Sequence, residues 1–157
     1  MVEKYIEYLD NSVSLIRKAD HMAYITYPLI KDKQLIFNAL NGIYTSLLGV
    51  ISAILQYEYF YKRISLSQDS RTNMQTFSDK CAFRYGITEQ ELNMVYEIFK
   101  MAENHKKSPF EFVKKDKIVI MTDNFHAETM TLEKIKNYIL VGKSVLKKAE
   151  DRIRRKL

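Results

Sequence analysis

The sequence predicts a mainly α fold: an antiparallel four- to five-helix bundle around one long central helix, with a small β-hairpin before the last helix. Three observations carry this. No side chain is charged from Gln34 to Tyr57, and Ile36, Leu40, Ile43, Leu47, Val50, Ile54, Tyr57 and Tyr61 recur at alternating spacings of four and three, the seam of a helix packed along its length. Four glycines and two prolines in 157 residues leave little chain for turns, which favours a few long helices. Amphipathic periodicity returns on both sides of the central stretch, so the chain carries partners to cover it.

The first helix is expected from Val2 to about Ala23. Ile6, Leu9, Val13 and Ile16 share one face, and Glu3, Lys4, Glu7, Asp10, Arg17 and Lys18 take the others. Tyr27-Pro28 should interrupt it, because the proline ring disfavours helical geometry at Tyr27 and brings no N–H. Asp32 then caps the central helix, Asp32 to Arg63, opposing the positive end of its dipole. Beside its large seam this helix carries a stripe of small residues, Ala39, Gly42, Ser46, Gly49 and Ala53, that lets a neighbouring backbone approach. A third stripe, Tyr44, Leu48, Ile51 and Leu55, is apolar again.

A polar loop, Ser65 to Arg71, leads to a short helix, Thr72 to Phe83, with Met74, Phe77, Cys81 and Ala82 inward and Gly86 as its stop. Thr88-Glu89-Gln90-Glu91 is a capping box opening a helix to about Asn104, with Leu92, Val95, Tyr96, Phe99 and Ala102 on one face. From Ser108 the period changes. Phe110 and Phe112 alternate with Glu111 and Val113, and Ile118-Val119-Ile120-Met121 follows the charged turn Lys114 to Lys117, which predicts a two-stranded hairpin ending in a turn at Asp123-Asn124. An isolated hairpin is marginal in water, so this one must lie on the helices or pair with another copy. Thr131 caps the final helix, with Met130 and Ile135 as its staple and Leu132, Ile135, Ile139, Gly142, Leu146, Ala149 and Ile153 inward. No repeat or low-complexity tract divides residues 1–157, which are expected to form a single helical-bundle domain.

The uncharged run is long enough to span a bilayer, and Tyr57, Tyr59 and Tyr61 would suit an interfacial belt. Against this stand Asn38, Asn41, Thr45, Ser46 and Ser52 inside the run, and three amphipathic helices that would be left with nothing to cover. A buried core helix is the expectation, and membrane association the lesser alternative. The N-terminal residues alternate charge with apolar groups and predict no secretory signal. One cysteine, Cys81, excludes an internal disulfide framework and suits a reducing, cytoplasmic setting.

The candidate chemistry is sparse. His21, His105 and His126 have no Cys or His at ligand spacing, so no metal site is expected. No clustered glycines form a phosphate loop, and no cofactor is expected. Cys81 lies on an apolar face, where a buried inert thiol is the expectation. Arg17 and His21, four apart on a helix, share a face and could meet one phosphate or carboxylate. Tyr57, Tyr59, Tyr61, Lys62 and Arg63 interleave aromatic and basic groups as a stacking platform would, though Tyr57 and Tyr61 also continue the core seam. The net charge of +6 belongs to the final helix, whose last 27 residues hold nine basic and three acidic side chains. Lys143, Lys147, Lys148, Arg152, Arg154, Arg155 and Lys156 make its basic outer face. The helix dipole accounts for part of that pattern, and phosphates are the natural partner for the rest.

The stretch from His105 to Ile120, HKKSPFEFVKKDKIVI, resembles one found in small uncharacterised archaeal proteins. The helical layout as a whole is similar to the HEPN superfamily of compact, often dimeric helical bundles. That resemblance implies dimerisation and either RNA cleavage or partnership in a toxin–antitoxin pair. Active members carry an Arg followed by four to six residues and a His, whereas Arg17 and His21 are separated by three. The alternative reading is thus a ribonuclease or toxin–antitoxin component with a degenerate site, for which Arg17, His21 and His105 are the catalytic candidates. The primary expectation is a non-catalytic, self-associating interaction module, a homodimer whose basic C-terminal helix binds RNA or an acidic protein partner.

Overall fold

The computed structural model describes residues 3–115, 117–122 and 124–154. The central helix, here α3, runs over Lys33–Phe60. Asp32 opens it as expected, its carboxylate accepting from the Gln34 amide at 2.9 Å. It ends at Tyr61, and Lys62 then turns the chain with φ of 61°. The first helix, α1, spans Lys4–His21 and packs antiparallel along the small-residue stripe. There the Ser12 hydroxyl donates to the Ser46 carbonyl at 2.8 Å and the Ser46 hydroxyl donates to the Ser12 carbonyl at 2.9 Å. A Cβ on Gly49 would stand 2.2 Å from Ser12 Oγ, so the bare backbone of glycine is what lets α1 settle this close.

Two more long helices complete a ring. Helix α5, Glu89–Lys107, lies antiparallel to α3, with Phe37 stacked on His105 at 3.9 Å and Tyr44 edge-on to Phe99 at 5.2 Å. Helix α6, Leu132–Ile153, fits between α5 and α1 and touches α3 across the diagonal. Thr88 and Glu91 form the capping box of α5, and Thr131 accepts from the Lys134 amide to cap α6. Neighbours around the ring run antiparallel, so α3 and α6 point the same way. Their C-termini share one end of the bundle, with the starts of α1 and α5.

Four expectations need correction. On α5 Tyr96 is exposed, and Ile98 and Met101 join Val95 and Ala102 on the buried face. Tyr27-Pro28 does not break the first helix. A π turn at Met22–Thr26, closed by the Tyr27 amide on the Met22 carbonyl, widens the helix ahead of the proline ring. A last turn, α2 (Tyr27–Ile30), follows, and the chain stops at Lys31 with φ of 58°. The short helix begins earlier than expected, as α4, Ser70–Thr76, because Asp69 caps it by accepting from the Thr72 amide. It continues through a π turn, Phe77–Cys81, and a 3-10 turn, Phe83–Tyr85, to Gly86 with φ of 73°. The hairpin is a three-stranded antiparallel sheet in the order β1 (Glu111–Lys114), β2 (Lys117–Met121), β3 (Ala127–Met130). The third strand was hidden because Ala-Glu-Thr-Met offers one large apolar residue and no β-branched run. Of the turn expected at Asp123-Asn124, Asp123 lies outside the described residues, as does Val2 of the first helix. Ile118, Ile120 and Met130 are buried, and β2 rests on α5.

The large seam of α3 is buried from Ile36 to Tyr57, while Tyr61 is exposed. One stripe of the helix stays open, through Asn41, Thr45 and Leu48. By length and apolarity α3 would also cross a membrane, and half of its most apolar window is buried by the rest of the chain.

Candidate functional site

The shared C-terminal end of α3 and α6 holds the one buried charged side chain among the described residues. Glu58, the first charge after the uncharged run, is fully buried. A lone carboxylate there would cost several kcal/mol, so it must be paired. The Arg63 Nε donates to its Oε2 at 2.5 Å, and that bond raises the Arg63 pKa. The same guanidinium lies over the Tyr57 and Tyr61 rings, 5.5 and 5.1 Å from their centres. Arg84, from the 3-10 turn, brings its Nη1 to 3.9 Å from Glu58 Oε1. From α6, Arg152 donates to the Arg84 carbonyl at 2.8 Å and covers the Tyr85 ring at 5.2 Å.

Two guanidiniums thus face one carboxylate, and a third, Arg152, braces the turn that carries Arg84. Burial, and after it the charge of Glu58, pushes the Tyr85 hydroxyl well above the usual phenol range. The same two causes push the Cys81 thiol to about 11, so at neutral pH it holds its proton and is no nucleophile. Around this cluster Tyr59, Phe60 and Tyr61 are exposed, and Phe83 is 88% exposed.

The basic face predicted on the last helix is largely tied into the fold. Lys143 pairs with Asp20 of α1 at 2.6 Å, and Arg154 with Asp10 at 2.6 Å. Lys148 pairs with Glu91, and Arg152 is held as above. Lys147 is exposed. Arg155 and Lys156 lie outside the described residues. Glu91 does more than cap α5. Burial alone would raise its pKa, but hydrogen bonds from Lys148, Ser144 and the Thr88 amide overrule that and hold it at about 2.

At the opposite end, Arg17 and His21 are exposed and line one shallow hollow of about 430 Å³ with Thr26 and Leu35. The Thr26 hydroxyl is 3.3 Å from His21 Nδ1. His105 sits at the same end on α5, stacked on Phe37, with Nδ1 2.6 Å from Glu111 Oε2. Among the described residues no hydrogen bond, ion pair or ring contact joins His105 to Arg17 or His21. None of the described His, Cys, Asp and Glu residues form a group of three able to hold a metal ion. A larger groove, about 690 Å³, runs beside the open stripe of α3, floored by Tyr44, Leu48, Ile51 and Phe99 and edged by Arg71 and Lys106.

Sequence reasoning missed Glu58, Arg84 and Tyr85. Glu58 falls four residues after the seam residue Ile54, and that inward phase was the one available signal. Arg84 carried none, because its partners come from two distant helices. No protein-family model, curated protein or solved structure matches this chain.

Proposed function

We propose that the protein is a non-catalytic helical interaction module, self-associating and cytoplasmic, that holds RNA at the end where α3 and α6 stop. An acidic protein is the second partner chemistry that this surface suits. The observation that carries the reading is the pairing of Arg63 and Arg84 with the buried carboxylate of Glu58, with Arg152 held on the Arg84 carbonyl, beside exposed Tyr59, Tyr61 and Phe83. The surplus positive charge favours phosphates by counterion release, and the rings offer faces on which bases stack. Lys147 extends the basic surface along α6.

Fluorescence anisotropy with short single-stranded RNA over a salt series tests it. Affinity should fall steeply with salt. Arg84→Glu should weaken binding about tenfold and flatten the log–log salt slope by about one charge. Binding that ignores both salt and Arg84→Glu would remove the proposal.

The shared hollow of Arg17 and His21 favours a second reading, a HEPN-like ribonuclease or toxin–antitoxin component. It requires metal-independent RNA cleavage that His21→Ala or His105→Ala abolishes. Intact RNA after prolonged incubation rejects it.

A further inference from the structure

The outer edge of β1 is unpaired among the described residues, since the sheet order is β1-β2-β3. It is also apolar, with Phe110, Phe112 and Val113 exposed and the two rings stacked at 6.3 Å. Such an edge is a template for another strand. The ladder determines which backbone groups are free. Met121 donates to the Phe110 carbonyl at 3.2 Å, and the pairing continues Phe112↔Val119 and Lys114↔Lys117. In an antiparallel ladder hydrogen-bonded positions alternate, so Phe110, Phe112 and Lys114 turn their N–H and C=O toward β2. Glu111 and Val113 turn theirs outward.

We infer that β1 is the self-association edge: two copies pair antiparallel about Phe112, joining their sheets into one of six strands. The occupant follows from the limits of the edge. Pro109 has no N–H to donate, and Lys115 leaves the extended region with φ of 57°. The segment between them, residues 110–114, is centred on Phe112. In the register that overlaps all five residues, Glu111 and Val113 exchange hydrogen bonds with Val113 and Glu111 of the second copy. Phe112 then meets its own copy, and Phe110 faces Lys114 of the second copy, a ring opposite a cation. Sliding by two residues one way sets Glu111 against Glu111 and calls on the missing donor of Pro109. Sliding the other way sets Glu111 against Lys115, which is off the strand. The edge is therefore complementary to itself in one register, which an unrelated strand would match only by chance.

This inference rests on the self-association in the proposed function and gives it a surface. Sedimentation equilibrium over a wide concentration range tests both. Val113→Pro removes an outward N–H and leaves the β1–β2 ladder intact, so it should turn a dimer into a monomer with an unchanged circular dichroism spectrum. Phe112→Cys should form a disulfide-linked dimer on mild oxidation, because facing non-hydrogen-bonded Cα atoms lie about 4.5 Å apart, within disulfide range. Leu140→Cys, exposed on α6, should not. If Val113→Pro misfolds, the cross-link alone decides. A wild-type chain monomeric throughout overturns self-association and edge together. A dimer that survives Val113→Pro and yields no Phe112→Cys cross-link overturns the edge alone.

Discussion

Glu91 shows how much one side chain can carry. Its carboxylate caps α5, and Ser144 and Lys148 bind it to α6. Held at about 2 against an ordinary 4.5, the group contributes stability that is complete above pH 4.5 and is lost as pH falls toward 2. For this partly screened site the loss is on the order of 2 kcal/mol. Urea unfolding between pH 7 and 3 should show a decline that Glu91→Gln flattens, and parallel curves would exclude the role. Glu58 is a sterner case. Arg63→Ala strips the bonded partner from a fully buried carboxylate, at a cost of ~3 kcal/mol. Adding Glu58→Gln should restore part of that in a double-mutant cycle, since a neutral amide is cheaper to bury than an unpaired charge.

At the scale of elements, the α1–α3 contact is the tightest joint. Gly49→Ala places a methyl group where the Ser12 hydroxyl stands, so the reciprocal bonds with Ser46 must break or the helices part. The expected loss is about 1–3 kcal/mol in thermal or denaturant unfolding. Ser12→Ala on that background should recover some of it, because Ser12 Cβ is 3.6 Å from the added carbon. Equal stability of Gly49→Ala and wild type would mean that the helices do not meet this closely. The small-residue stripe could be read from the sequence as a place of close approach, because spacing on one helix shows which residues share a face. That α1 would occupy it, serine against serine, could not.

The whole molecule shows why some elements were readable and others were not. Asp32, Thr88 and Thr131 were recognisable as caps because a cap bonds an amide two or three residues away. The π turn before Pro28 and the third strand escaped. The first relieves a clash within one helix that fixed spacing rules do not anticipate, and the second owes its pairing to β2 rather than to its own composition. The cations of α6 were visible as a cluster, yet their assignments were not, since Lys143 finds Asp20 across 123 positions and Arg154 finds Asp10 across 144. Periodicity and capping act over a turn or two of chain, so the amino acids alone dictated the long helices and the mainly α class, while the inner face of α5 turned to bury Ile98 and Met101 and leave Tyr96 exposed. Coulomb pairing and burial depend on distance in space, so only the folded bundle decided that most basic groups of the last helix tie it to its neighbours. It also decided that Arg63 and Arg84 meet at Glu58, with Arg152 holding the Arg84 carbonyl.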